Sequence, residues 1–182
     1  MIDNVIQEYW QPIIESYRRG ETALPLYMGL NQNGYDALML AMGIELAMGL
    51  ESVPFSQEVE EKLRLRLELM NMRIGELEEL EKLLVASLEP SIAFGSEMVT
   101  VLASACLGSQ HLWRDLGMPE RPRLTALFRD YFPLLHAKNV NNMRWKRFLY
   151  RQLCENGGDY VCRSPSCEEC ASYSECFDIA AK

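Results

Sequence analysis

Apolar side chains recur along this chain at spacings of three and four residues, a period that admits helices and excludes alternating strands. Ile2, Val5, Ile6, Tyr9, Trp10, Ile13 and Ile14 line one face of a helix ending near Tyr17, and Pro12 predicts a kink or an early break in it. The Gly, Pro and Asn content of 18–33 predicts a loop, after which Tyr35 to Leu50 resumes as an apolar, Met-rich helix. Ser52-Val53-Pro54 breaks that helix, and Ser56 stands where it would cap the next one.

The longest periodic run is Gln57 to Leu88, carried by Val59, Leu63, Leu67, Met70, Ile74 and Leu77, with Glu58, Glu60 and Glu61 at its positive end. Heptads persist for only about two and a half repeats, so a bundle helix, interrupted if anywhere at Gly75, fits better than a coiled-coil seam. Pro90 ends the run. Further helices are expected over Ser96 to Gly108, with Met98, Val99, Leu102, Ala105 and Cys106 inward, and over Leu124 to Tyr131. A last helix starts at Pro133, a natural first-turn residue, and runs to about Glu155, where Asn156-Gly157-Gly158 stops it. Gly108 and Gly117 bracket a short helical or turn-rich piece. The expected fold is all-α, a helical bundle with a C-terminal cysteine-rich metal-binding loop. It forms a single domain over 1–182: variable N-terminal helices over 1–95, core helices over 96–155 and the cysteine loop over 156–182.

Four of the six cysteines, Cys162, Cys167, Cys170 and Cys176, form a C-x4-C-x2-C-x5-C motif. Secreted disulfide domains are small and cysteine-dense throughout, whereas here only Cys106 and Cys154 precede the cluster, so a metal site is expected. Thiolates select zinc, copper(I) or an iron–sulfur cluster. The first three cysteines match a plant-type ferredoxin spacing, yet the fourth follows too soon, and zinc remains a competitor on spacing alone. Cys154, eight residues upstream, is a candidate extra ligand or a small buried hydrophobe, and Cys106 is expected in the core.

Arg144, Lys146, Arg147 and Arg151, with Arg163 in the loop, gather basic charge beside the cysteines in a chain whose formal charge is −8. A helix C-terminus favours cations and explains part of this. A thiolate-bound cluster and an incoming oxyanion are both negative, and a local positive field would offset them. Met143, Phe148, Leu149 and Leu153 take the core side, leaving the basic residues free to face outward or toward the loop. His111 reads as a structural residue beside Trp113 or as a non-cysteine ligand whose ring Asp115, four residues on, could orient. His136 carries no functional signal.

The acidic balance argues against nucleic acid as a partner. No apolar run approaches the roughly 20 residues of a membrane span, and Met1-Ile2-Asp3-Asn4 does not open a signal peptide, so a cytoplasmic protein is expected. No hydrolase constellation or phosphate-binding glycine loop stands out.

The stretch Arg144 to Cys154, the run Val161-Cys162-Arg163-Ser164-Pro165-Ser166-Cys167-Glu168-Glu169-Cys170, and Tyr173 to Phe177 closely resemble the NifQ family. So does Ala105 to Gly108 with His111 to Gly117, and Leu24 to Leu30 more faintly. The resemblance is dense from about Met98 to Phe177, and the family's four cysteines fall on Cys162, Cys167, Cys170 and Cys176, all intact. It implies an iron–sulfur protein, with a 3Fe-4S or 4Fe-4S cluster of open-corner type, that takes up molybdenum from molybdate or a molybdenum–sulfur species. It implies donation of that molybdenum for nitrogenase iron–molybdenum cofactor synthesis, to the cofactor-assembly scaffold and its reductase partner. Such a protein is a metallocluster carrier and not an enzyme. The rival expectation is a zinc-stabilised protein-interaction module, and an electron-carrying iron–sulfur protein is a third.

Overall fold

The computed structural model describes residues 4–44 and 55–157. Every regular element among them is helical: α1 (Asn4–Arg18), a 3-10 turn (Leu26–Gly29), α2 (Gln32–Ala41), α3 (Gln57–Asn71), α4 (Ile74–Val85), α5 (Gly95–Cys106), α6 (Leu112–Asp115), α7 (Arg121–Tyr131), α8 (Pro133–Lys138) and α9 (Trp145–Asn156). None of the described helices is long and apolar enough to cross a membrane. The cysteine loop expected over 156–182 lies beyond the described residues from position 158 onward.

At the centre is α5. Nine of its residues, including Val99, Val101, Leu102, Ala103 and Ala105, are buried, which is the composition of a helix surrounded on all sides. Helix α4 packs along it, and α9 packs on α4 in turn. From the N-terminal side, α1 inserts Trp10, Ile13, Ile14 and Tyr17, all fully buried. Pro12 does not break α1, which continues to Arg18. The indole Nε1 of Trp10 donates to Tyr131 Oη at 3.1 Å, and that hydroxyl donates to Ala93 O at 3.2 Å. These bonds join α1, the segment before α5 and the end of α7, and they pair both the indole N–H and the phenol hydroxyl.

Three expectations change in detail. The 57–88 run is two helices, with the break at Met72–Arg73 rather than at Gly75. Arg73 explains the position: its guanidinium turns to Glu76 at 2.7 Å and to Leu107 O at 3.1 Å, anchoring the corner to the end of α5. The loop expected over 18–33 contains a 3-10 turn in which Tyr27 and Met28 hold positive φ of 54° and 58°, and the helix expected over Tyr35 to Leu50 is α2, which begins earlier, at Gln32, capped by the Asn31 side chain, and ends at Ala41, ahead of Gly43 with its φ of 71°. The helix expected to run from Pro133 to about Glu155 is divided into α8 and α9 by a turn in which Asn139 bonds both to the Met143 N–H and to its carbonyl. The expected caps hold: Ser56 Oγ accepts from Val59 N, and Pro133 opens α8.

Gly117 ends the α6 turn with φ of +74°, and a Cβ placed there would fall 2.3 Å from Ser16 Cβ. The close approach is what lets Ser16 Oγ donate to Gly117 O at 2.7 Å and tie α1 to α6. Gly117→Ala combines a left-handed backbone with overpacking, so it should lower stability by about 2 kcal/mol or more in urea denaturation. A neutral result would show that α1 and α6 do not pack this closely.

Candidate metal centre and its basic surround

The four motif cysteines, Cys162, Cys167, Cys170 and Cys176, and Arg163 lie outside the described residues. What the structure describes is the platform that leads to them. Helix α9 ends at Asn156 with Gly157 as C-cap, its N–H returning to Leu153 O. Within the last turn, Cys154 is half-buried in a groove of about 330 Å³ between α4 and α9, beside Glu79, Leu83, Tyr150 and Leu153. It is therefore not a core thiol. Cys106 is one: it is buried in α5, and burial pushes its thiol up to about 12. Among the described residues, no group of three or more His, Cys, Asp or Glu side chains is arranged to hold a metal ion.

The α4–α9 contact beside Cys154 is fastened by polar groups. The Tyr150 hydroxyl donates to Glu76, the same carboxylate that Arg73 grips, and burial raises the Tyr150 phenol far above its ordinary value. A protonated phenol is the form that donates, so burial and hydrogen bonding favour the same state.

The basic cluster separates into three environments. Arg147 and Arg151, four residues apart on α9, share an exposed face, and Arg151 Nε meets Glu155 at 3.0 Å. Lys146 precedes Arg147 by one residue and so points about 100° away round the helix. That turn carries it inward. The structure thus gives Lys146 a different place from the outward or loop-facing one expected, at 8% exposure. Its Nζ donates to Gly108 O at 2.8 Å, to Gln110 O at 2.7 Å and to the Asp115 carboxylate. An ammonium has three donors, and all three are used. Burial pushes the Asp115 carboxyl above its ordinary range, and the Lys146 ammonium beside it opposes that shift.

Arg144 occupies the third environment, as N-cap of α9, in a cleft of about 190 Å³ with His111, Trp113, Arg121 and Trp145. His111 is the N-cap of α6 in extended conformation, its carbonyl accepting from Arg114 N at 2.9 Å and Asp115 N at 3.0 Å. His111 thus stands at the N-cap, ahead of the first helical residue, and the Asp115 carboxylate is engaged through Oδ2 by Lys146 and by the Gln110 N–H at 3.1 Å. Arg121, at the start of α7, was not singled out from sequence. Nothing local distinguishes it, and it reaches the cleft only because α7 and α9 pack together through Phe128 and Trp145, stacked at 3.9 Å. His136 lies half-buried with its ring 6.4 Å from that of Trp145.

The family description that matches the chain is NifQ, over residues 10–178, a span that includes all four motif cysteines. The chain is 44% identical over 165 residues to Protein NifQ of Azotobacter vinelandii, covering 91% of this chain and 84% of that protein. It is 37% identical over 164 residues to Protein NifQ of Klebsiella pneumoniae, covering 89% and 92%. A NifQ homolog of Sinorhizobium fredii matches at 44% over 77 residues, or 42% of this chain and 34% of that protein. No solved structure matches the chain at a significant level.

Two outcomes test this arrangement. Lys146→Ala strands a buried carboxylate and should cost about 3–5 kcal/mol, while Arg151→Ala removes an exposed pair worth at most about 1 kcal/mol. Equal costs in thermal or urea denaturation would mean that Lys146 is not buried as described. Cys106, protonated and enclosed, should resist iodoacetamide at pH 8 in the folded protein and react on unfolding, followed by mass spectrometry. Prompt labelling in the native state would contradict its burial.

Proposed function

The chain belongs to the NifQ family, and from that premise we propose that it binds molybdenum with an iron–sulfur species and donates it to assembly of the nitrogenase iron–molybdenum cofactor. The observation that carries this reading is a family match along most of the chain with the four cysteines of C-x4-C-x2-C-x5-C intact inside it. On this reading the protein is a carrier in nitrogen fixation, and its cargo is the substrate that it hands on.

Cys162, Cys167, Cys170 and Cys176 are the residues that would hold the cargo, and thiolate is the soft donor suited to iron, sulfide-rich clusters and reduced molybdenum. Cys154, half-exposed at the end of α9, is the nearest further thiol in the chain and the candidate for an additional ligand. His111 is the candidate non-cysteine ligand. Arg144, Arg147 and Arg151, with Arg163, would draw the molybdate oxyanion toward the motif. Lys146 contributes from beneath, by fixing the start of α9 against the His111 turn.

Donation requires that cargo be released without unfolding the carrier. The buried hydrophobic core described here is drawn from residues between Tyr9 and Tyr150, ahead of the motif in sequence. Its contacts would persist when the cysteines exchange ligands. The expected recipients are the cofactor-assembly scaffold and its reductase partner.

Anaerobic purification followed by iron, sulfide, molybdenum and zinc analysis tests the reading. A brown protein containing iron, sulfide and molybdenum is expected, and a colourless protein holding zinc alone would replace the donor with a zinc-stabilised interaction module. Cys167→Ala should abolish cluster binding and leave the far-UV helical signal intact, because α1 to α9 have their own core.

A further inference from the structure

We propose that the cleft between the end of α3, the turn after α5 and the segment after α1 binds a small organic acid, its carboxylate on the Arg66 guanidinium and its apolar body against Leu69, Met72 and Leu107. The site uses none of the motif cysteines and does not depend on what they carry.

The first observation is a guanidinium edge that no carboxylate meets. In Arg64, Arg73 and Arg129 the Nε and Nη2 donors together grip one carboxylate. These are Glu60 at 3.1 and 2.6 Å, Glu76 at 3.0 and 2.7 Å, and Asp130 at 2.7 and 3.2 Å. Two parallel donors on that edge match the two oxygens of a carboxylate. Arg66 differs. Its hydrogen bonds leave through Nη1, to Thr22 O at 2.6 Å and Leu24 O at 3.3 Å, and both acceptors are neutral carbonyls. Those bonds serve the fold, holding the segment after α1 against α3. Among the described residues no carboxylate pairs with Arg66, and its Nε–Nη2 edge remains for a ligand.

The second observation is where this cation sits. An arginine withdrawn from water is nearly always paired. Arg66 is half-buried, and burial works against its charged form. Asp115 offsets this at a distance, but its carboxylate is already engaged by Lys146 and the Gln110 N–H. The described residues lining the cleft include Arg66 and Arg73 and no carboxylate. Arg73 is neutralised by Glu76, so the uncompensated charge of the cleft is that of Arg66. Because two carbonyls already fix the Arg66 side chain, an incoming anion pays little to order it.

The third observation separates an organic acid from an inorganic anion. At about 500 Å³ the cleft falls within the roughly 300–1,000 Å³ typical of pockets for small organic ligands. Leu69 and Met72 line it at 53% and 82% exposure, with Leu107 half-buried beside them. A body of a few carbons would cover these side chains and gain about 0.8 kcal/mol for each methylene buried, contact that a bare anion leaves unused.

A ¹H–¹⁵N NMR titration of the full-length chain with hexanoate tests the site, read at the Arg66 Nε–H resonance, which Arg66→Lys identifies by its loss. Hexanoate should shift that resonance saturably, with one site per chain. Hexanol keeps the body without the carboxylate, acetate the carboxylate without the body, and each should bind about tenfold or more weakly. Variants are followed at the backbone amides of Leu69 and Leu107. Arg66→Lys keeps the charge, loses the paired edge and should weaken hexanoate about tenfold. Since that change also loosens the bonds to Thr22 and Leu24, Met72→Asp is the second variant. It leaves Arg66 in place, sets a carboxylate in the cleft, and should weaken hexanoate about tenfold or more with the thermal melt unchanged. Arg64→Gln, whose guanidinium holds Glu60 on an exposed face, should match wild type, as should Cys167→Ala. An Arg66 resonance unmoved at tens of millimolar hexanoate, equal binding of hexanol or acetate, or full affinity in Met72→Asp would each overturn the proposal.

Discussion

The buried ion pair between Lys146 and Asp115 holds together the half of the molecule that leads to the cysteines. Removing two charges from water costs several kcal/mol per ion, and a pair recovers this only when every remaining donor is met. Here the ammonium's second and third donors go to the carbonyls of Gly108 and Gln110, so the turn after α5 and the start of α9 share one buried charge. Gly108 is the residue that permits it. A Cβ there would lie 2.5 Å from the Asp115 carboxylate and 2.8 Å from Ala23 Cβ. The same corner takes the Ala23 N–H onto Asp115 O at 2.8 Å, bringing in the segment after α1.

Everything about the basic surround follows from that anchoring. With Lys146 turned inward, α9 must present Arg147 and Arg151 outward, while Arg144 is left at the helix start beside His111 and Arg121. On the opposite flank, Tyr150 and Glu76 set α9 against α4 and leave Cys154 in the groove between them. Helix α9 is thus clamped at both its first and second turns, and its last turn delivers the chain toward the motif.

Much of the helical fold was legible in the primary structure because its signals are local. Ser56 caps α3, Pro133 opens α8, and Gly157 closes α9. These depend on backbone chemistry within a few residues. The errors arose where distant contacts compete with local preference. Periodicity through Met72–Arg73 favoured one helix, yet Arg73 bends the chain to reach Leu107 O. Pro12 favoured a break in α1, but the burial of Trp10, Ile13 and Ile14 on one continuous face outweighs the lost hydrogen bond.

By itself the sequence determined the all-helical class, the positions of several helix ends, and a four-cysteine motif whose spacing is a covalent fact independent of folding. Family membership was legible in the same way, since it rests on residue identity. Only the tertiary structure decided what each basic residue does. Lys146, Arg147 and Arg151 are equivalent cations on paper, and helical phase together with the buried Asp115 makes the first an internal anchor and leaves the others outside. The place of Arg121 was likewise beyond the sequence, because a cleft lined by residues 111, 121 and 144 exists only once α7 and α9 are stacked through Phe128 and Trp145.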